Sequence, residues 1–210
     1  MNRPLLISDC DEVLLHMAGH FAEWLEEAHG LELDFAAPGL HQSMVKERAS
    51  GRALPGEEVW PLLDTFFVEE WHRQNIVPGA REALTELGRD ADIVILTNIP
   101  DRHQALRIRQ LETFEIHHEV LCNAGAKGPQ LRELVDRLQP SAAVFVDDHA
   151  PHLASAAEHA PHVWRLHMIA EPRLAEHIPA AHDAHARIDN WNEAGTWIRD
   201  RFAEGPAPSE

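Results

Sequence analysis

Three short apolar runs, Leu5-Leu6-Ile7, Ile93-Val94-Ile95-Leu96 and Val144-Phe145-Val146, each stop abruptly at polar or acidic residues, and this pattern limits the fold more than any other feature. An unbroken apolar run too short for a helix marks a strand covered on both faces, the kind that builds parallel sheets. With two further runs, strands are expected at residues 5–8, 93–97, 119–122, 143–146 and 162–166. Helical patterns lie between them at residues 81–89, 102–112, 130–138 and 151–159. A closing helix at 190–202 carries Trp191, Trp197, Ile198 and Phe202 to dock on the sheet. Strand and helix alternating in this way give the α/β class, with a Rossmann-like parallel sheet core and helices on both faces.

The alternation fails between the first and second strands, where a long stretch shows no convincing strand. Its apolar residues recur at helical spacing in two places, Phe21, Trp24, Leu25 and Ala28, then Val59, Leu62, Leu63, Phe66 and Phe67. Pro38-Gly39, Pro55-Gly56 and Pro78-Gly79 punctuate it. The expected organisation is a core of residues 1–14 and 77–204, a small α-helical cap at 15–76 and a disordered tail at 205–210. The aromatic stripe Trp60, Phe66, Phe67 and Trp71 is read as cap core. Trp24, on the first cap helix, keeps a larger functional share.

Charge narrows the partners. The 210 residues include 35 acidic and 18 basic side chains, a formal charge of -17, so a polyanion such as nucleic acid is repelled. A small anionic substrate remains compatible, because a divalent cation and helix N-termini reverse the potential locally. Two cysteines, Cys10 and Cys122, make no disulfide framework, and with no leader evident the expected home is cytoplasmic. No apolar run is long enough to span a bilayer. Monomer and homodimer are equally compatible with the sequence.

The ends of the apolar runs carry the chemistry. The first leads into Asp9-Cys10-Asp11, two carboxylates one residue apart at the carboxyl edge of a buried strand, where open α/β sheets bind ligands. One can attack phosphorus while the other exchanges a proton with the leaving group and then with water. The second run ends in Thr97-Asn98, offering a hydroxyl and backbone N–H groups to phosphate oxygens. Lys127 follows a turn and can neutralise phosphate and nucleophile together. The last run ends in Asp147-Asp148, and carboxylates from two strands suit Mg²⁺, a hard ion that prefers oxygen. Taken singly, each has a structural explanation as a cap, a turn or a solvated charge.

In order, Asp-x-Asp, an apolar strand ending in Thr, an isolated Lys and an apolar strand ending in Asp-Asp resemble the signature of the haloacid dehalogenase-like hydrolase superfamily, over residues 5 to about 153. The resemblance implies that Asp9 forms an aspartyl-phosphate, that Asp11 is general acid and base, and that Thr97, Asn98 and Lys127 bind the phosphoryl group. It implies Mg²⁺ held by the Asp9 carboxylate, the main-chain carbonyl of Asp11 and Asp148, with Asp147 direct or one shell out. The insertion matches the family's cap. The expected activity is a phosphatase acting on a small-molecule phosphate ester. A phosphomutase or a non-catalytic metal- and phosphate-binding module are the alternatives. Dehalogenation is disfavoured because the dehalogenase branch lacks the acid at the position of Asp11.

Two departures from the family pattern are Glu12 and Val13, directly after the motif. Cys10, on alternating geometry, points away from the cleft into the core. His16, His20, His149 and His152 are candidates for substrate contact. The spacings His149-x-x-His152, His159-x-x-His162 and His182-x-x-His185 invite zinc, but 16 scattered histidines make such coincidences common.

Overall fold

A computed structural model of the chain describes residues 2–37 and 44–208. From the N-terminus, β1 (Leu5–Ser8) leads to α1 (Ala18–Trp24), β2 (Leu31–Leu33), β3 (Val45–Glu47) and α2 (Gly56–Glu69). There follow α3 (Ala80–Leu87), β4 (Asp92–Thr97), α4 (Gln104–Glu112), β5 (Glu119–Cys122), α5 (Gly128–Leu138), β6 (Ala143–Asp147), α6 (Ala150–His159) and β7 (Trp164–His167). The chain closes with α7 (Pro172–Ala175), β8 (Ala186–Arg187) and α8 (Trp191–Glu204). These elements form two compact units. One comprises Met1–Leu15, Ile76–Ala170 and Ala180–Glu210, the other His16–Asn75 with Glu171–Pro179.

The first unit is built on a six-stranded sheet in the order β5-β4-β1-β6-β7-β8, with every neighbouring pair parallel. Because side chains alternate along a strand, the apolar runs feed two cores at once. Leu6, Ile93, Ile95, Val144 and Val146 pack with Leu84 of α3, Leu111 of α4 and Ile198 of α8. Leu5, Ile7, Val94, Leu96 and Phe145 pack with Leu131 and Leu134 of α5 and Leu153 of α6. The chain runs outward from β1 through β4 to β5, then returns to β6 on the other side of β1. The strand order therefore reverses beside β1, where open sheets leave a crevice at their carboxyl edge.

α8 is seated by Asn190, whose Oδ1 accepts the Glu193 N–H at its N-terminus, and by fully buried Trp191, whose Nε1 donates to the Val13 carbonyl at 2.7 Å. The expected fraying from residue 205 is not found over the described residues. Trp164 Nε1 donates to the Gly205 carbonyl and the buried Ala207 N–H donates to the His162 carbonyl. Residues 209–210 lie outside the described residues.

Gly128 opens α5 against α6. A Cβ there would sit 2.2 Å from the Ser155 carbonyl oxygen and 2.4 Å from its Oγ, so only glycine allows the approach. Gly128→Ala is expected to cost about 1–3 kcal/mol through the forced separation of the two helices. Urea unfolding of the purified variant measures it, and an unchanged midpoint would contradict the close approach.

The second unit has its own core of Phe21, Trp24, Leu25, Leu31, Val45, Leu54 and Phe66. The expectation of an entirely helical insertion needs correction, because β2 and β3 pair as an antiparallel hairpin with Leu31 opposite Glu47 and Leu33 opposite Val45. Gly30, in the left-handed conformation at φ 63°, ends the preceding helical turn and redirects the chain into β2. Strands of three residues are too short to display an alternation. Residues 171–179, read as core, belong to this unit. Trp60 is 62% exposed and so is not part of the cap core, whereas Phe66 is fully buried. Trp24 is also buried, beside Phe21, His29 and Phe66, which gives it a packing role. The Pro38-Gly39 turn lies outside the described residues. No described helix is long and apolar enough to cross a membrane.

Candidate active site

The residues singled out at the strand ends converge at the carboxyl edge of the first unit. β1 and β6 are adjacent, with Ser8 opposite Val146, so Asp9 emerges beside Asp147 and Asp148. The Asp9 N–H is anchored on the Val146 carbonyl at 2.9 Å. One oxygen from each of Asp9, Asp147 and Asp148 falls within 4.8 Å of the others. Among the described residues this trio is the group that suits a metal ion, and no histidine belongs to it. An all-oxygen set at a strand edge matches the donor preference of Mg²⁺.

Lys127, the residue before α5, is completely buried. Its Nζ lies 2.7 Å from Asp9 Oδ1 and 2.7 Å from Asp147 Oδ2. Burial alone would lower its pKa, but the charges of Asp147 and Asp9 outweigh that and raise it, so the lysine stays protonated. Asp9 and Asp147 thus share one cation, with Asp148 alongside them. Loss of hydration pushes Asp9 up to about 6 against the pull of Lys127. The same loss, reinforced by the charges of Asp147, Asp9 and Glu12, raises Asp148 well above the usual carboxylate range. Asp147 is also raised by burial, with Lys127 opposing. Its two oxygens are engaged, Oδ2 by Lys127 and Oδ1 by the His149 N–H at 2.8 Å.

Thr97 ends β4, next to β1. Its hydroxyl is fully buried and has no hydrogen-bond partner, a state that costs about 1–3 kcal/mol unless a ligand completes it. Asn98 spends its side chain on the loops. Nδ2 donates to the Gly125 carbonyl at 2.8 Å, and Oδ1 accepts from Asn123 Nδ2 at 2.8 Å. His152 Nε2 lies 3.3 Å from the same Nδ2. Burial, then the charge of Lys127, lowers the His152 pKa to about 4, so the ring is neutral at neutral pH. His149 and His152 stand with ring centroids 4.8 Å apart. His16 and His20 belong to the second unit.

Cys10 is buried in the core, as alternation required, and burial pushes its thiol up to about 12, so it stays protonated. Val13 is buried in the same core. Glu12 is buried at φ 59°, a left-handed conformation that non-glycine residues adopt at a cost of about 1–2 kcal/mol. Its N–H donates to Leu15 and its carbonyl accepts from Ala170.

The sequence reading missed Arg107. From the middle of α4, only 3% exposed, its Nη2 donates to Asp11 Oδ2 at 2.9 Å and its Nη1 to Cys10 Sγ at 3.3 Å. His103, Arg107, Gln110 and Leu111 recur at helical spacing, but three of the four are polar, and only the structure shows that all four are buried.

No family model matches the chain, and no curated protein matches it in sequence. Solved structures do match. A haloacid dehalogenase-like family hydrolase from Xanthomonas campestris aligns over 97% of this chain and 97% of its own, at 15% identity and TM-score 0.58. The magnesium-bound YfnB of Bacillus subtilis aligns over 94% and 99%, at 16% identity and TM-score 0.64. A β-phosphoglucomutase candidate from Thermotoga maritima aligns over 94% and 99%, at 18% identity and TM-score 0.60. The chain therefore has the fold of the haloacid dehalogenase-like hydrolases.

Proposed function

We propose that this chain is a phosphatase of the haloacid dehalogenase-like superfamily, using Mg²⁺ to cleave a small-molecule phosphomonoester through an aspartyl-phosphate on Asp9. The observation that carries the reading is the charge imbalance at the carboxyl edge, where Asp9 and Asp147 share Lys127 and Asp148 lies within 4.8 Å of both carboxylates. A divalent cation corrects that imbalance. Asp9, Asp148 and the main-chain carbonyl of Asp11 would hold it, with Asp147 behind as anchor for Lys127 and the His149 turn. Bound there, Mg²⁺ supplies Lewis-acid stabilisation of charge on the phosphoryl oxygens.

The side chains divide the remaining work. Lys127 screens the Asp9 carboxylate from the incoming phosphoryl group, and the Thr97 hydroxyl donates to a phosphoryl oxygen. Asn98 holds the loops in place through its side chain while its backbone N–H faces the same task as the Thr97 hydroxyl. Asp9 attacks phosphorus, and Asp11 gives a proton to the departing oxygen. Asp11 then takes a proton from the water that hydrolyses the aspartyl-phosphate.

The test is p-nitrophenyl phosphate hydrolysis with and without Mg²⁺. Metal-dependent phosphate release is expected. Metal-saturated protein that takes phosphate onto Asp9 and passes it to a sugar instead of water would establish the phosphomutase alternative. Protein that binds Mg²⁺ and phosphate without any transfer would establish the non-catalytic one.

Thr97→Val tests the phosphate contact with opposite signs in two assays. Removing an unpaired buried hydroxyl should leave stability unchanged or raise it by about 1 kcal/mol. Losing one hydrogen bond to the ester should raise KM about tenfold. A variant that is destabilised and binds normally would refute the assignment.

A further inference from the structure

We propose that Arg107 is the positioning residue for Asp11, holding its carboxylate at the place from which it exchanges a proton with the leaving oxygen and then with water. This rests on the phosphotransfer reading above.

The guanidinium is buried in the middle of α4 and reaches the loop after β1 with two prongs, Nη2 to Asp11 Oδ2 at 2.9 Å and Nη1 to Cys10 Sγ at 3.3 Å. Two contacts on consecutive residues fix the orientation of the planar fork, which a single contact would not. Burying a guanidinium is costly even when it is paired, and an apolar side chain of similar volume commonly packs such a position as well or better. Leu111, on the same buried stripe of α4, shows that this surface accepts an apolar residue. The charge at position 107 is thus a poor choice for packing and a good one for gripping a carboxylate. Asp11 retains 17% side-chain exposure beside the 3% of Arg107, so its gripped carboxylate still meets solvent.

The consequence is pre-organisation. An aspartate on a strand-end loop otherwise samples several rotamers, and ordering it at the moment of reaction would add to the barrier. As the ester P–O bond breaks and the bond from Asp9 to phosphorus forms, the Asp11 proton passes to the leaving oxygen. Water then attacks the aspartyl-phosphate, its proton goes to the Asp11 carboxylate, and phosphate and Asp9 are released. The first transfer matters most for an alkyl ester, whose alkoxide is a poor leaving group, and least for p-nitrophenyl phosphate, whose phenolate departs unprotonated.

The experiment compares kcat/KM on p-nitrophenyl phosphate and β-glycerol phosphate for wild type, Arg107→Lys, Arg107→Met, Asp11→Asn and the double variant Asp11→Asn/Arg107→Met. General acid–base catalysis contributes roughly 10²–10⁴-fold, so Arg107→Met is expected to lose about 100-fold or more on the alkyl ester and under about fivefold on the aryl ester. Arg107→Lys should recover part of the alkyl activity. In the Asp11→Asn background the Arg107 substitution should leave the ratio of the two activities unchanged within about twofold. Equal loss on both esters, or the same change of ratio with and without the Asp11 carboxylate, would show a merely structural arginine and overturn the proposal. Should Arg107→Met fail to fold, Arg107→Lys answers by the same ratio. Wild type inactive on both esters would overturn the phosphatase reading itself, an outcome distinct from uniform loss in the variants.

Discussion

Asp9→Asn is expected to melt higher than wild type at neutral pH when both are free of metal, and yet to release no phosphate when Mg²⁺ is supplied. The two effects share one cause. The Asp9 carboxyl has its pKa pushed from 3.8 to about 6 by burial, against the pull of Lys127. A raised carboxyl pKa stabilises the fold below the unfolded value of 3.8, and that stability is lost as pH rises through about 6. The shift corresponds to roughly 3 kcal/mol at pH 7. Asparagine keeps the shape, removes the charge and leaves Lys127 its contact with Asp147, so a gain of about 1–3 kcal/mol is expected. Melts with a chelator at pH 4.5 and pH 7 should show the variant's advantage at the higher pH and little at the lower. A variant less stable than wild type at pH 7 would mean that Lys127, not burial, governs Asp9. With Mg²⁺ restored to both proteins, activity of the variant should fall by at least about 10⁴-fold relative to wild type, because on the proposed mechanism an amide cannot replace the Asp9 carboxylate as nucleophile.

Lys127→Met should act in the opposite direction on stability. Methionine matches the length of the stem but leaves Asp9 and Asp147 without the cation they share. Removing one partner of a buried ion pair costs about 3–5 kcal/mol, a large part of the 5–15 kcal/mol that a typical domain possesses. The variant is expected to unfold at markedly lower urea. Adding Asp147→Asn should recover part of the loss, since the carboxylate Lys127 holds at 2.7 Å would no longer be charged and unpaired. A loss below about 1 kcal/mol would mean that the carboxylates are protonated in the native protein and need no counter-charge.

Much of the first unit was legible because it is made of continuous apolar runs. Leu5–Ser8 is buried throughout and Ala143–Asp147 likewise, and burial on both faces requires that composition. Asp9 and Asp147 were legible by their positions at the ends of such runs and Lys127 by its place after a turn, and the structure puts both carboxylates within ion-pair distance of Lys127. Arg107 was not, because α4 also carries Arg102 upstream and Arg109 within it, and a charged residue is ordinarily assigned to the solvated face. Only the buried identity of His103, Gln110 and Leu111 reveals which face turns inward. The hairpin of β2 and β3 escaped for a different reason. Its specification comes from Leu31 and Val45 meeting in a core with Phe21 and Phe66, a tertiary effect with no local periodicity behind it. The membership of 171–179 in the second unit is likewise tertiary.

The backbone contacts at the two ends of the inserted segment bear on how the protein folds. Leu15 and Ile76 form an antiparallel bridge, and the His16 N–H donates to the Asn75 carbonyl at 2.8 Å. Pairing Leu5 with Asp92 in the open chain must close a loop containing the whole insertion. If residues 16–75 collapse first around Phe21, Trp24 and Phe66, their ends are already stapled and the remaining loop is several times shorter. Each halving saves about 0.6 kcal/mol of closure entropy at the moment the central strand joins the sheet. Mutations that weaken the Phe66 cluster should therefore slow the refolding of a sheet to which Phe66 contributes no strand, and Asp9, directly after β1, would meet Lys127 only once that strand has joined the sheet.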